Sequence, residues 1–523
     1  MKSNILSLGI EFGSTRIKAV LIDEKGTVIS QGNHEWENNL IDGYWTYSLE
    51  DIWSGVQSAY AELANVYKSK TGEILNKIDS IGISAMMHGY LAFDSNGGLL
   101  VPFRTWRNVN TDDASKKLSE LFKFNIPHRW SVAHIYQAIL NEEKHVADLD
   151  FVTTLAGYVH WQLTGEKVLG IGDAAGMFPI NDESKSYDVC MLDKFNNLSE
   201  VSALNIKLEN LLPSILLAGE EAGKLSEKGA RLLDPSGNLA AGALLCPPEG
   251  DAGTGMTATN TISSRTGNVS AGTSIFAMIV LEKSLKNYYP EIDMVTTPDG
   301  KPVAMVHCNN GTPETDAWMK MFGELIFLMG YEVDINELYK KVYTAALEGD
   351  GDCSGIVSVN YLAGEPIAKV SEGRPMYIRK ADSKLNLANF MLSQLYSIVT
   401  TLRMGMDILV HEENVLIDEL LGHGGIFKTK AVMQSIMASA LDVPLAVYES
   451  AGEGGAWGIA LLASYSLNNE GESLDEFLNR NVFSDSYEKS LLEPEQKIKD
   501  GFNNYLENYK QVLELERSSE GLY

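Results

Sequence analysis

The stretch Leu6–Asp23 reads LSLGIEFGSTRIKAVLID, which is two apolar runs separated by a short turn of glycine, serine and threonine. A second stretch, Gly267–Val280, reads GNVSAGTSIFAMIV and follows the same plan. β-Branched and apolar residues on either side of a tight turn predict an antiparallel hairpin. Glycine in such a turn allows the backbone to come close to a ligand.

The two hairpins together indicate a phosphate-binding function. Turns of this kind offer backbone N–H groups and hydroxyls to a polyphosphate without a lysine-bearing loop. Two such turns facing each other across a cleft suggest a phosphotransferase of the actin-like ATPase type. The chain has no Walker A motif, no zincin histidine pair and no nucleophile elbow.

Length and residue order predict an α/β protein of two large domains. A chain of 523 residues is too long for one hydrophobic core. A helix from about Leu49 to Tyr67, a buried strand Ile78–Ala85 and a helix around Phe151–Leu163 indicate layered α/β structure in the first half. We place the boundary near Pro247–Asp251, which gives domains of residues 1–255 and 256–523.

Composition narrows the class of partner. The net charge of −28 disfavours binding to nucleic acid, because a phosphate backbone would be repelled. No run approaches the ~18 apolar residues of a membrane span. The four cysteines are scattered without paired spacing, so we expect a reducing, cytoplasmic location.

Asp251 is the candidate general base. It lies among glycines in the segment EGDAGTG, residues 249–255, at an expected strand-to-helix turn. A carboxylate there can accept a proton from a hydroxyl that attacks a γ-phosphate. An aspartate that only caps the helix is the alternative.

Glu11 precedes the first turn by two residues and is the candidate metal-binding residue. A carboxylate beside a phosphate site implies an intervening cation, so Mg²⁺ is expected directly or through water, with Asp251 as a second contact. An exposed acid at the end of a strand is the alternative.

Two segments of the first domain are candidates for binding a polyol. Met87 and His88 follow a buried strand, where ligands often bind in α/β sheets. Trp106 and Asn108 offer an aromatic surface and an amide. Ordinary packing is the alternative for both segments, and a lone histidine after an apolar run is usually a structural residue.

Two glycine-rich segments near the end of the chain are candidates for nucleotide binding. Gly424 and Gly425 would let a flat adenine ring lie against the backbone, with Thr429 nearby. The segment GEGGAWG, residues 452–458, opens the next helix but lacks the third glycine of the dinucleotide fingerprint.

These motifs, in this order, resemble those of the FGGY family of carbohydrate kinases over essentially the whole chain. The resemblance implies two ribonuclease-H-like domains that close over MgATP and an open-chain sugar or polyol. The matching segments are Gly9–Asp23, Met86–Gly89, Trp106–Asn108, Gly250-Asp251, Ser270–Ser274, His307-Cys308 before Trp318, Gly424-Gly425 and Ala451–Gly458.

The resemblance also assigns roles to individual residues. Asp251 becomes the general base, and Met87 and His88 match the pair that contacts the ketose in the xylulokinase-type branch. The γ-phosphate would lie near the two hairpin turns, and adenine near the later glycines; the residues concerned are Gly13, Ser14, Thr15, Gly272, Thr273, Gly424 and Gly425.

Three positions depart from the family pattern. Glu11 and Asn108 stand where aspartate is usual or frequent, and Thr429 stands where some relatives have asparagine. The first departure puts direct metal contact in doubt, and the other two affect exact specificity rather than the class of reaction.

The sequence therefore predicts an ATP-dependent kinase acting on the primary hydroxyl of a small ketose, with xylulose or ribulose as the expected acceptor. Glycerol, gluconate or a deoxyketose are alternative acceptors, and an actin-like ATPase without a sugar substrate is the alternative of a different class. The expected partner is a small-molecule sugar, with neither nucleic acid nor membrane. A homodimer is left open.

Overall fold

A computed structural model describes residues 5–429, 431–448, 454–483 and 489–522, and two main sheets organise them. The strands of the first sheet are β1 (Ser7–Phe12), β2 (Arg16–Ile22), β3 (Val28–Glu35), β4 (Ser80–Ala85), β5 (Leu244–Leu245) and β6 (Glu249–Gly250). In this sheet β1 pairs antiparallel with β2 and parallel with β4, and the strand order is β5-β4-β1-β2-β3, with β6 also paired to β4.

The second sheet repeats this plan. Its first two strands form an antiparallel hairpin, β7 pairs parallel with β11, and the order is β9-β10-β8-β7-β11-β12-β13. The strands are β7 (Thr266–Ala271), β8 (Ile275–Val280), β9 (Ile292–Thr296), β10 (Pro302–Cys308), β11 (Glu419–His423), β12 (Leu445–Tyr448) and β13 (Lys489–Leu492). The two predicted hairpins are confirmed as β1–β2 and β7–β8.

Helices cover the sheets, and the first shows why this sequence forms them. Ser48 caps α1 by accepting a hydrogen bond from the N–H of Asp51, and Ile52, Val56 and Leu63 form its buried face. The helices of the first half are α1 (Leu49–Thr71), α2 (Asp112–Phe122), α3 (Ser131–Leu140), α4 (Leu155–Thr164), α5 (Ile171–Ala174), α6 (Val189–Asn196), α7 (Ser199–Ser202), α8 (Glu227–Leu233) and α9 (Asp251–Ala258).

In the second half, α12 is almost wholly buried and forms the centre of that domain's core. The helices are α10 (Pro313–Leu328), α11 (Ile335–Ala346), α12 (Leu387–Asp407), α13 (Val432–Leu441), α14 (Gly455–Asn468), α15 (Leu474–Asn481) and α16 (Gln496–Ser518). Short two-stranded ribbons are also present; they are Asn39–Ile41 with Tyr44–Thr46, Leu91–Phe93 with Phe151–Thr153, Val168–Gly170 with Ser214–Leu216, Ile180–Asn181 with Ser186–Tyr187, and Val357–Val359 with Met376–Ile378.

Helix α14 joins the two halves. It lies between β12 and β13 of the second sheet in sequence but packs against β1 and β4 of the first. The approach is so close that a Cβ at Gly9 would lie 2.0 Å from the carbonyl oxygen of Ala456. The boundary at residue 255 stays a prediction, and the structure adds that packing between the halves crosses it.

The prediction of a helix from Phe151 is wrong at its start. Phe151–Thr153 is a strand paired with Leu91–Phe93, and the helix begins only at Leu155 after the N-cap Thr154. Among the described helices, none is both long and apolar enough to cross a bilayer. All four cysteines are free thiols, and only Cys190 is exposed.

Candidate active site

The first turn, Gly13–Thr15, is held from behind by two stacked aromatic side chains. The indole Nε1–H of Trp36 donates to the carbonyl oxygen of Gly13 at 2.7 Å, and its backbone N–H donates to Thr15 at 3.2 Å. The hydroxyl of Tyr47 donates to the carbonyl of Ser14 at 2.5 Å. All three carbonyls are thereby tied to the domain, while Ser14 and Thr15 remain exposed on the other side. An anion approaching from that side meets hydroxyls rather than carbonyl oxygens.

The second turn, Gly272–Thr273, is also held through its backbone carbonyls, here by backbone N–H groups instead of aromatic side chains. The backbone N–H of Thr312 donates to Gly272 at 2.9 Å, and that of Gly311 donates to Thr273 at 2.8 Å. A Cβ at Gly311 would lie 2.1 Å from the carbonyl oxygen of Gly272, so only glycine permits this contact. Gly272 and Thr273 are exposed. In both turns, backbone carbonyl oxygens are thus held by hydrogen bonds from the domain behind them, and the exposed residues are left free to donate hydrogen bonds to a ligand.

The Gly424-Gly425 segment lies beside the second turn, because β7 and β11 are parallel neighbours with Ser270 opposite His423. Gly424 has a φ of 115°, and a Cβ there would lie 2.3 Å from the carbonyl oxygen of Ala271. Gly425 faces open space. Thr429, four residues on, is half-buried. The Gly424-Gly425 segment can therefore accept a flat group against its backbone. In the other glycine-rich segment, GEGGAWG, residues 452 and 453 lie outside the described residues.

Asp251 is the first residue of α9, directly after β6, and Gly250 rather than Asp251 is the N-cap. Its Oδ1 accepts a hydrogen bond from the backbone N–H of Met87 at 3.2 Å. The side chain opens to the cleft, yet the surrounding protein limits its hydration and raises its pKa, an effect that backbone N–H groups and Arg129 partly offset. A fixed carboxylate with a raised pKa suits a proton acceptor.

Glu11 lies close enough to Asp251 for the two charges to interact. Desolvation raises the pKa of Glu11, the charge of Asp251 raises it further, and Lys18 lowers it. Its Oε2 accepts a hydrogen bond from the N–H of Ala456, near the start of α14, at 3.2 Å. Two carboxylates that repel each other beside the turn Gly13–Thr15 fit a divalent cation. The described residues hold no group of three or more metal-ligating side chains, so phosphate oxygens and water would have to supply the remaining ligands.

Met87 and His88 are buried next to Asp251. His88 has a φ of 71°, its ring stacks on Trp130 with centroids 6.2 Å apart, and its Nδ1 lies 3.3 Å from the carbonyl oxygen of Gly176. A Cβ at Gly176 would lie 2.6 Å from that nitrogen, so glycine is needed there. Burial and the charge of Arg129 hold the pKa of His88 well below its usual range, so the ring is neutral.

Asn108 and Trp106 lie on one loop and differ in accessibility. The amide nitrogen of Asn108 donates to the carbonyls of Trp45 and Thr105 at 2.9 and 3.0 Å, and its oxygen accepts from the N–H of Trp45 at 2.9 Å. These bonds occupy both donors. Trp106 is 39% exposed. The sugar contact of Asn108 stays a prediction, and in this structure its amide holds the loop that carries Trp106.

Two buried carboxyl groups behind Asp251 were not predicted from the sequence. Oε1 of Glu249 accepts from the N–H of Gly172 at 3.2 Å, and Oδ2 of Asp173 accepts from the hydroxyl of Thr154 at 2.5 Å. Burial raises the pKa of both, and their mutual repulsion raises that of Glu249 further. The glycines at 170 and 172, whose missing Cβ atoms leave room for Glu249, are the local signal that could have revealed the pair.

The paired hairpin sheets, with a carboxylate at their junction, give the chain the two-domain actin-like fold that the sequence predicts. The model of the FGGY family of carbohydrate kinases, N-terminal domain, matches residues 6–234, and that of the C-terminal domain matches residues 267–467. The chain therefore belongs to the FGGY family of carbohydrate kinases, and the predicted family and fold are confirmed.

Individual relatives are distant. The chain is 21% identical over 445 residues to the xylulose kinase of Lactococcus lactis, which covers 82% of this chain and 81% of that protein. Two solved structures from Lactobacillus acidophilus share the fold at 16% identity. A gluconate kinase aligns with a TM-score of 0.80 over 99% of this chain and all of its own, and a ligand-bound xylulose kinase with 0.79 over 99% of each.

Proposed function

We propose that this carbohydrate kinase transfers a phosphoryl group from ATP to a primary hydroxyl of a small ketose, with a ketopentose such as xylulose or ribulose as acceptor. One observation carries the proposal: Asp251 stands at the start of α9 and is hydrogen-bonded to the backbone of Met87, the residue before His88. A proton acceptor and a polyol-binding segment are thus joined directly.

In this proposal Asp251 accepts the proton of the attacking hydroxyl. The N–H of Met87 fixes the direction of the carboxylate, and the raised pKa makes it a better acceptor than an ordinary aspartate. His88, held neutral, can exchange a hydrogen bond with a sugar hydroxyl, and Met87 supplies an apolar wall. Trp106 adds an exposed aromatic surface on which a sugar can pack.

The nucleotide would be held by the two turns. Gly13, Ser14 and Thr15 would face the transferring phosphate from one side and Gly272 and Thr273 from the other, while Gly424, Gly425 and Thr429 would border adenine. Glu11 and Asp251 would hold Mg²⁺, which when bound neutralises charge on the phosphates. The contribution of the chain is to orient donors from both domains and to exclude water as the domains approach.

Glycerol, gluconate and deoxyketoses remain the alternative acceptors, because a gluconate kinase shares the fold as closely as a xylulose kinase does. Family membership favours a sugar kinase over an actin-like ATPase without a sugar substrate. Sugar-stimulated ADP release separates these two, since an ATPase driven by a protein partner does not respond to ketoses.

The test is a coupled ADP-release screen over xylulose, ribulose, fuculose, rhamnulose, glycerol and gluconate, with both enantiomers where they exist. The highest kcat/KM is expected for a ketopentose. A clear preference for glycerol or gluconate would replace the proposed acceptor, and no response to the whole panel would argue against the sugar kinase proposal.

A further inference from the structure

Arg129 lies directly beside the proposed acceptor segment. Its carbonyl oxygen accepts a hydrogen bond from the N–H of Gly89 at 3.3 Å, and the next residue, Trp130, carries the ring on which His88 stacks. The charge of Arg129 acts on both Asp251 and His88. The guanidinium is therefore a cation at the acceptor end of the cleft, contributed by the first domain.

Asp293, on β9 of the second domain, takes up this cation. Its Oδ2 forms an ion pair with the guanidinium of Arg129, and its Oδ1 accepts from the side-chain amide of Asn125 at 2.7 Å. The Asp293 side chain is only 12% exposed and that of Arg129 25% exposed, so water screens the pair weakly. A carboxylate of the second domain is thus ion-paired with a cation of the first domain.

The arginine next to Trp106 is engaged elsewhere, because the guanidinium of Arg107 lies over the ring of Trp45, 3.7 Å from its centroid. Asp251 and Glu11 are carboxylates, and Lys18 is the cross-strand partner of Glu11 on the first hairpin, where its charge lowers the pKa of that carboxyl. The charges of Arg129 and Asp293 both act on His307, which lies on β10 beside β9. Burial keeps the pKa of His307 below its usual value, so this ring adds no positive charge. With Arg129 paired, the acceptor end offers no free cation among these residues.

We propose that Asp293 makes the acceptor site selective for neutral sugars and polyols, by occupying the guanidinium of Arg129 that would otherwise bind the carboxylate of a sugar acid. This inference rests on the proposed function of the same cleft. An unpaired arginine binds a carboxylate through two parallel hydrogen bonds, which makes it an effective site for an aldonate. With Asp293 in place, an aldonate must instead bring its charge next to another carboxylate.

The test compares Asp293→Asn, Arg129→Gln and the control Asp418→Asn, which removes an aspartate from a surface ion pair with Arg265. For each, kcat/KM is measured with a ketopentose and with gluconate. Asp293→Asn should raise the gluconate-to-ketose ratio at least about tenfold, and Arg129→Gln, which leaves Asp293 without its cation, should lower it. Asp418→Asn should leave the ratio unchanged.

Opposite shifts in the two variants cannot come from a general loss of folding, which would lower both activities together. An unchanged ratio in Asp293→Asn with a normal melting temperature would overturn the inference, as would a wild-type protein that prefers gluconate. Calorimetric titration of gluconate into Asp293→Asn tests binding without turnover. Wild-type protein inactive on every acceptor would overturn the proposed function, while tighter gluconate binding to Asp293→Asn would still support the role of Asp293.

Discussion

Replacing Asp251 by asparagine removes the proposed base while preserving its surroundings. An asparagine Oδ1 can still accept the hydrogen bond from the N–H of Met87, and Gly250 remains the N-cap of α9. What is lost is the ability to take a proton. Loss of a positioned general base lowers rates by about 10²–10⁴-fold, or about 2.7–5.5 kcal/mol of activation free energy. Because the geometry is otherwise retained, we expect kcat to fall by about 10³-fold or more.

The same change should not lower stability. The pKa of Asp251 is raised in the folded protein, so above that pKa the ionised side chain costs folding free energy that asparagine does not. The neighbouring Glu11 also loses a repulsive charge. The turns Gly13–Thr15 and Gly272–Thr273 are fixed by other residues, so nucleotide should still bind, with one carboxylate fewer for the proposed Mg²⁺.

Three measurements check this prediction: kcat by coupled ADP release, nucleotide Kd by calorimetry, and the melting temperature near pH 7. Asp334→Asn is the matched control, because Asp334 caps α11, which lies outside the site, and asparagine caps helices equally well. It should leave kcat unchanged. A folded Asp251→Asn enzyme within tenfold of wild-type kcat would refute the role assigned to this carboxylate.

Three further predictions address the turns and the buried acids. Gly424→Ala should destabilise the second domain and raise KM for ATP, because its Cβ would meet a backbone carbonyl at 2.3 Å. Gly425→Ala, whose Cβ would face open space, should raise KM for ATP with little change in melting temperature. Equal melting temperatures in the two variants would contradict this prediction. Trp36→Phe removes the 2.7 Å bond to Gly13, and since one hydrogen bond contributes about 0.5–1.5 kcal/mol, Kd for ATP should rise several-fold by calorimetry. Burial raises the pKa of Glu249 to about 8, so stability should fall as pH rises from the ordinary carboxyl range toward 8, and Glu249→Gln should flatten the pH dependence of the melting temperature.

Local sequence signals predicted the hairpins that carry the two turns proposed to bind phosphate. The hairpins were visible because each places apolar runs on both sides of a turn of small residues, and α1 because its apolar residues recur at helical spacing after the cap Ser48. The strand at Phe151 was missed because its three residues, Phe-Val-Thr, come just before a helix and cannot be told from a first helical turn by local pattern. Pairing with Leu91–Phe93, some sixty residues away, decides it.

The acceptor end depends on contacts that no local pattern contains. Arg129 and Asp293 are 164 residues apart, and their pairing arises only when the two domains face each other. The packing of α14 on the first sheet is similar, since Glu11 meets Ala456 across 445 residues. Asn108 shows the converse: its residue type suits a sugar, but the neighbouring backbone of Trp45 uses its amide.

Because the acceptor depends on long-range contacts, the class of reaction is easier to predict from the sequence than the sugar that accepts the phosphoryl group. A gluconate kinase and a xylulose kinase align with this chain at TM-scores of 0.80 and 0.79, so the fold that brings the two turns together is common to both kinds of protein. A change of acceptor therefore has to arise from side chains rather than from the sheets. The ion pair of Arg129 and Asp293 satisfies that requirement, because it lies beside His88 and belongs to neither phosphate-binding turn. Its substitution should change which sugar is used while the turns continue to bind nucleotide.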